Sequence, residues 1–294
     1  MSIDNDKATE PTTGIPFERR PSTEEIGRLI YQRRQRRLRH QRLVFLSIRF
    51  LSLAVVFISW QIYGSHTIAI LFAPITTVIH EGYTLFAQKG LGGQLLTSVE
   101  TFFWGYILGM VIGVFLGMLT GAYRAAEAAI SMYIFALYAT PMVALVPIIS
   151  LWVGYNFHAQ VVIVTLFVVW PVTVTVFHGI REIDPELLEV SRSLRLNRRQ
   201  TWLHVLLPGA VPFIITGATQ GVAMGMVGVI IAEVQTQLTG IGDALQTQSS
   251  TYHTAAALAV ILLIMALGLT LRLMLSIIKR WVVPWQRVDR GRRH

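Results

Sequence analysis

Residues 184–208 read DPELLEVSRSLRLNRRQTWLHVLLP, a polar and arginine-rich stretch between two long apolar segments. Asp184 is placed to cap a helix that Pro185 opens at its first position. Asn197 and Gln200 have the spacing of a second helix start, in which each side chain reaches the backbone of the other residue. The stretch therefore predicts two short helices joined by a turn.

Both short helices carry further signals. The first has Glu186 and Glu189 on one side and apolar side chains such as Leu187 available for burial. The second is expected to continue through Trp202 and to end near Pro208, because proline lacks the backbone N–H that a helix interior needs.

The composition around this stretch is that of a membrane protein. Of 294 residues, 53% are hydrophobic and 14% are charged, and the mean hydropathy is +0.54. Soluble domains carry about 25% charged residues. Cysteine is absent, which excludes disulfides, thiolate nucleophiles and Cys-ligated zinc. The net charge of +9 lies mostly in gaps between apolar runs, which favours membrane topology over nucleic-acid binding.

Six apolar segments approach the length that crosses a bilayer. They lie at about 43–63, 99–122, 128–151, 159–180, 209–233 and 255–279. Cytoplasmic loops are enriched in Lys and Arg, and placing the N-terminus inside leaves Lys89 as the one basic residue outside. The sequence therefore predicts an all-α protein with about six spans, both termini inside, a membrane domain at 43–283 and a basic cytoplasmic tail at 284–294.

Two further segments lie outside the spans. Residues 1–42 form a cytoplasmic tail, in which Ser22 to Arg42 read either as a basic amphipathic helix on the membrane surface or as a solvated tail that orients the first span. Between His66 and Ser98, Pro74 can open a helix with one apolar face, which would lie at the outer interface or re-enter the membrane.

Glycine recurs at every fourth position in two spans. The first row is Gly105, Gly109, Gly113, Gly117 and Gly121, and the second is Gly217, Gly221 and Gly225. Such rows let helix backbones approach closely in lipid. They favour packing within the chain, with a dimer or sliding interface as the alternative.

A transport pathway is expected beside four residues. Pro141 and Pro147 break or kink the third span, and Met142 lies between them. Glu233 is an acid near the outer end of the fifth span, where it either touches the pathway or reaches interfacial water. Prolines in membrane spans also occur as passive kinks, which is the alternative interpretation of Pro141 and Pro147.

Several kinds of chemistry are missing from the sequence. There is no G-x-x-x-x-G-K-[ST] phosphate-binding loop, so the chain is not expected to hydrolyse ATP. The eight histidines include no pair spaced by four residues and no accompanying carboxylate cluster, so no metal site is expected. No catalytic set is apparent.

The stretch at 184–208 resembles the EAA loop of binding-protein-dependent ABC transporter permeases, with the pattern E-A-A, three residues, G, nine residues, I-x-L-P. Glu189–Ser191 stand at the E-A-A positions, Arg195 at the glycine, and Val205–Pro208 at I-x-L-P. Arg195 is the departure that matters. It indicates either that the turn needs no positive φ or that Arg195 contacts a partner.

Three stretches resemble the nitrate/sulfonate/taurine/bicarbonate branch of these permeases. They are TPMVALVPIISLWVG (140–154), IREIDPELLEVSRSL (180–194) and IAEVQTQLTGIGDALQ (231–246). Together the likeness covers about residues 97–285.

The resemblance implies a type I importer of MetI-like architecture in the bacterial inner membrane. Two permease copies, a homodimer, would work with two cytoplasmic ATP-binding subunits and an extracytoplasmic solute-binding protein. ATP and Mg would lie on the ATPase partners, with no cofactor on this chain. The solute would be small and anionic.

The loop would then transmit force from the ATPase. Residues implied in coupling are Asp184, Glu186, Leu187, Glu189, Ser191, Arg192, Leu194, Arg195, Asn197 and Pro208. Glu189 would bond to the ATPase, Leu187 and Leu194 would pack against it, and Arg192 and Arg195 would contact its rim. The competing hypothesis is a stand-alone secondary carrier or channel, which explains the spans but not the capped, motif-spaced loop.

Overall fold

The computed structural model describes residues 23–282, with side chains from residue 44 onward except at positions 188, 192, 198, 280 and 282. All regular secondary structure in this range is helical, as the sequence predicts. The helices are α1 (Thr23–His66), α2 (Ile75–Gln88), α3 (Leu91–Ala122), α4 (Arg124–Ala139), α5 (Met142–Val153), α6 (Phe157–Arg181), α7 (Pro185–Ser193), α8 (Arg198–Thr201), α9 (Leu207–Thr236), α10 (Ile241–Ser250) and α11 (Thr254–Val282), with a π-helical turn at Trp202–Leu206.

The chain forms two compact units, one ending at Ser59 and one beginning at Trp60. In the first unit, α1 is helical from Thr23, and its apolar part, which starts at Val44, is long enough to cross a bilayer. The predicted N-terminal helix lies within α1. The side chains before residue 44, on which the prediction of a membrane-surface helix or a solvated tail depends, lie outside the described residues, as does the tail at 284–294.

Helix α6 forms the centre of the second unit. Its fully buried valines include Val164, Val168, Val172 and Val176, at every fourth position. Helix α3 runs parallel to α6 and lays its glycine row on this stripe. A Cβ added at Gly105 would lie 2.5 Å from the Cβ of Val164, and one at Gly121 would lie 2.7 Å from the Cβ of Ile180. The glycines permit this close approach because any side chain would overlap α6.

Helix α9 packs on α6 in the opposite direction. Gly217 lies against Val172, whereas Gly228, three turns later, lies against Val164. Both glycine rows therefore pack within the chain, and the valine stripe is enclosed between α3 and α9.

Helices α4 and α5 form a broken pair, bent by 100° at Thr140 and Pro141. Because α3 and α6 are parallel neighbours, the chain from Ala122 to Phe157 must return across the bundle. The pair thus acts as one broken crossing. Together with the five helices that are long and apolar enough to span a bilayer, it gives the six crossings expected from the sequence.

Two shorter helices, α2 and α10, pack against α11 at one end of the bundle. Pro74 is the N-cap of α2, and Val78 and Leu85 are buried. They join a cluster that includes Ile241 of α10 and Val260 of α11. The helix predicted between the first two spans is therefore present, with Val78 and Leu85 turned toward the protein and Ile79 exposed.

Candidate functional site

The loop between α6 and α9 begins with the predicted cap. Asp184 Oδ1 accepts a hydrogen bond of 2.9 Å from the backbone N–H of Glu186, and the carbonyl of Asp184 accepts one of 3.1 Å from Leu187. Pro185 occupies the first position of α7, where its missing N–H has no consequence. Local sequence thus sets the start of α7.

An apolar stripe on α7 faces away from the rest of the chain. Leu187, Val190 and Leu194 are 53%, 54% and 67% exposed, and their spacing of three and four residues places them on one helix face. We call these three residues the α7 stripe. Ser191 is buried on the other side, and Glu186 and Glu189 are exposed. No element of the described chain covers the stripe.

Helix α7 ends in a left-handed turn at Arg195, whose φ is 51°. The N–H of Leu196 reaches back to the carbonyl of Ser191 at 3.0 Å, a helix ending that usually has glycine at the left-handed position. The turn therefore requires the positive φ for which the family pattern supplies glycine. The interpretation that the turn at Arg195 needs no positive φ is therefore wrong.

The second helix of the loop starts as predicted but does not end as predicted. Asn197 Oδ1 accepts from the N–H of Gln200 at 2.8 Å, and Gln200 Oε1 accepts from the N–H of Asn197 at 2.9 Å. The expected end near Pro208 is wrong, because the helix continues through a π-helical turn into α9. The N–H of Leu207 bonds to the carbonyl of Trp202 in that turn. This wider register accommodates the N–H that Pro208 lacks.

One contact joins the loop to the bundle, and a second lies just before the loop. The Trp202 ring stacks on Tyr123, which follows α3, with ring centroids 5.9 Å apart. At the end of α6, the guanidinium of Arg181 pairs with the carboxylate of Glu127 in α4 and lies over the Phe177 ring. The first contact links the loop to the end of α3, and the second links α6, from which the loop starts, to α4.

The four residues predicted to flank a pathway lie in two places. Pro141 caps α5 and Pro147 lies within it, both exposed. Met142 lines an apolar cavity of about 310 Å³ together with Trp152 and Trp170.

Glu233 lies elsewhere, fully buried, where it caps α10. Its Oε2 accepts a 2.7 Å hydrogen bond from the N–H of Gly242. Beside it, Ser98 Oγ accepts one of 2.9 Å from Ile241. A Cβ added at Gly240 would lie 2.2 Å from the carboxyl carbon of Glu233, so the loop glycine makes room for the carboxylate. The pathway role of Glu233 stays a prediction.

A chain of buried polar side chains lies near this cap, and it was not predicted from the sequence. Thr101 of α3 donates to Gln160 of α6 at 3.3 Å, and Gln160 donates to Thr236 of α9 at 2.9 Å. These bonds link the three central helices at one end. The bonded residues are 59 and 76 positions apart in sequence, and only the packing brings them together.

Two other polar features of the spans were not predicted from the sequence. Thr175 Oγ1 lies 2.6 Å from Gln220 Oε1 on an exposed side of α6 and α9. Arg272 lies in α11, in a groove shared with α9. Among the described residues, no group of three or more His, Asp or Glu side chains could hold a metal ion.

The chain is similar to known transport proteins over most of its length. Residues 109–288 match the family model of the binding-protein-dependent transport system inner membrane component. A protein of Escherichia coli named as an aliphatic sulfonates transport permease, SsuC, is 30% identical over 71% of this chain and 79% of its own length. The nitrate import permease protein NrtB of Synechocystis is 24% identical over 79% of this chain and 88% of its own.

Solved structures show the same fold. The MetNI methionine ABC transporter in an inward-facing conformation gives a TM-score of 0.54 at 20% identity, covering 66% of this chain and 94% of that chain. An amino acid ABC transporter gives a TM-score of 0.52 at 20% identity, covering 65% and 92%. With six crossings, two intrachain glycine rows and a capped loop between α6 and α9, the chain belongs to the inner-membrane permease family of binding-protein-dependent ABC transport systems.

Proposed function

We propose that this chain is the permease subunit of an ATP-driven importer and that α7 is its coupling helix. The exposed α7 stripe supports this proposal most directly. Three large apolar side chains in water are unfavourable, and a groove on a cytoplasmic ATPase would bury them. The caps at Asp184 and Asn197 keep the two short helices ordered, as a lever that transmits force must be.

The contacts around α7 support a coupled motion. Trp202 is stacked on Tyr123, and Arg181 is paired with Glu127. A push on α7 would move α3, α4, α6 and α9 as packed bodies and shift the bundle between its inward- and outward-facing states. Arg192 and Arg195 would contact the rim of the ATPase.

The orientation follows from charge. Gly121 of α3 lies against Ile180 of α6, so the ends that carry Arg124, Arg181 and Arg199 belong to one side of the membrane. That side would be the cytoplasm of a bacterial cell, with both termini inside.

The full assembly would contain two copies of this chain, two ATPase subunits that hold ATP and Mg, and an extracytoplasmic binding protein that delivers the solute. This chain would hold no cofactor. The relatives are named for sulfonates and nitrate, and a bicarbonate permease, CmpB, is also similar, which supports a small anion as solute. The pathway would pass beside Pro141, Met142, Pro147 and Glu233.

The test is a charge reversal at Glu189 with a matched control. We expect Glu189→Lys to leave membrane insertion intact and to lower uptake of nitrate, bicarbonate or an aliphatic sulfonate by about tenfold or more, since breaking one buried charged contact costs about 2–5 kcal/mol. Glu182→Lys makes the same charge change at an exposed site off α7 and should transport normally.

ATPase co-purification is the second readout. The wild-type chain should bring down an ATPase from its native membrane, and Glu189→Lys should bring down less. Normal uptake together with normal ATPase binding in Glu189→Lys would refute the coupling role. Absence of any co-purified ATPase with the wild-type chain would favour a stand-alone carrier or channel.

A further inference from the structure

A charged side chain that the proposed coupling does not use lies in the apolar part of α11. Arg272 is ten residues before the end of α11 at Val282, and Lys279 follows it by about 10 Å along the helix axis. Arg272 lines a groove of about 330 Å³ between α9 and α11, with Thr219, Val222 and Met226 on the opposite wall.

The level of Arg272 in the bundle follows from the contacts of α9. Gly221 lies between Thr219 and Val222 in sequence and packs against Val168. Val168 is the twelfth of the 25 residues of α6, which places it at the middle of a spanning helix. Arg272 lies seven residues before Lys279, where the apolar part of α11 ends, so its backbone lies within the membrane, in the half nearer to Lys279.

Arg272 has no partner in the described part of the chain, where it makes neither a hydrogen bond nor an ion pair. The guanidinium of arginine carries a positive charge. An unpaired charge at this depth is unfavourable, and such residues pair with another group or face a water-filled cavity. The described acids of the spans lie elsewhere: Glu233 is buried at the cap of α10, Glu100 is near the start of α3, and Glu127 of α4 pairs with Arg181.

We propose that the groove around Arg272 is an anion-binding site on the transport route, which holds the negatively charged group of the solute as it crosses. The planar guanidinium offers several N–H donors to one oxyanion. The apolar walls weaken competition from water and strengthen the attraction. The groove has the volume of a small-molecule site. This inference rests on the proposed transport function and assigns the contact that selects a negatively charged solute.

The natural absence of cysteine gives a direct test. A single thiol is introduced by Thr219→Cys, on the wall opposite Arg272, and the full chain is labelled in native membranes opened to both sides. The probes are the sulfonatoethyl and trimethylammonioethyl methanethiosulfonates, which carry opposite charges. Their rate ratio is normalised to the ratio measured with free mercaptoethanol.

We expect the negative reagent to react faster by about tenfold or more, a factor that corresponds to only about 1.4 kcal/mol. Arg272→Lys should preserve this preference, and Arg272→Gln should abolish it. Ethanesulfonate, nitrate or bicarbonate in excess should slow the labelling. Leu273→Cys is the matched control: Leu273 is 55% exposed and does not line the groove, so we expect it to face lipid and to stay unlabelled.

An unlabelled Thr219→Cys would overturn the proposal and would indicate that Arg272 reaches lipid phosphates instead. A charge preference that persists in Arg272→Gln would overturn it as well. If Arg272→Gln does not reach the membrane, the Thr219→Cys variant by itself still tests the proposal. Equal labelling rates for the two reagents, or faster labelling by the positive reagent, would refute the anion site. The labelling requires no ATPase, so failure of the coupling role and failure of the anion site are separate results.

Discussion

The two glycine rows look alike in sequence, yet alanine should affect them in opposite ways. A Cβ at Gly109 would lie 2.6 Å from the Cβ of Val168 and 3.0 Å from the carbonyl oxygen of Thr165. A Cβ at Gly217 would lie 3.5 Å from the Cα of Val172. A methyl group at position 109 would therefore overlap its neighbours, whereas a methyl group at position 217 would lie at ordinary contact distance.

The size of each effect follows from two opposing contributions. Alanine is better than glycine in a helix interior by about 0.8–1.0 kcal/mol, and this gain applies to both positions. At Gly109, carbon atoms would come about 1 Å closer than their best separation, and overpacking of this kind costs about 1–3 kcal/mol. Since neighbouring glycines in the row are equally tight, α3 cannot retreat at one residue without losing contacts along α6.

We therefore expect Gly109→Ala to be neutral to destabilising by about 2 kcal/mol and Gly217→Ala to stabilise by up to about 1 kcal/mol. The two variants should differ by about 1–3 kcal/mol. The assay is thermal unfolding of the purified chain in detergent, followed by tryptophan fluorescence and by size-exclusion chromatography. Equal stability of the two variants, or a more stable Gly109→Ala, would refute the packing of α3 on α6 described above.

Three further changes test the site region. Arg195→Gly should raise thermal stability by about 1 kcal/mol, because it relieves the left-handed backbone, whereas Arg195→Ala should not; equal loss of uptake in both would show that the side chain contacts the partner. Asn197→Ala should cost about 1 kcal/mol of loop stability and speed proteolysis at the loop, and unchanged cleavage would contradict the cap. Glu233→Gln keeps an acceptor for Gly242 and should fold normally, whereas Glu233→Ala leaves that N–H unpaired and should cost about 1–3 kcal/mol in thermal unfolding; equal stability of these two variants would speak against the cap of α10.

The sequence alone determined the features that depend on neighbours a few residues apart. The apolar segments, the cap at Asp184 and the reciprocal bonds of Asn197 and Gln200 all followed from local spacing, because helix starts are satisfied by side chains within one turn. The loop motif likewise identified the family. The departure at Arg195 was visible in sequence, but its backbone conformation was not.

Tertiary structure decided what depends on distant segments. The π turn that carries the helix past Pro208 forms where Trp202 stacks on Tyr123, a residue at the end of α3 and 79 positions away in sequence. Folding placed the backbone of α10 over the carboxylate of Glu233, a contact that its sequence neighbours did not indicate. The same glycine spacing gave a tight row on α3 and a looser one on α9. The groove that Arg272 and Thr219 line forms only where α11 packs beside α9. In each case the outcome depends on ångström-scale distances between helices, which no local pattern encodes.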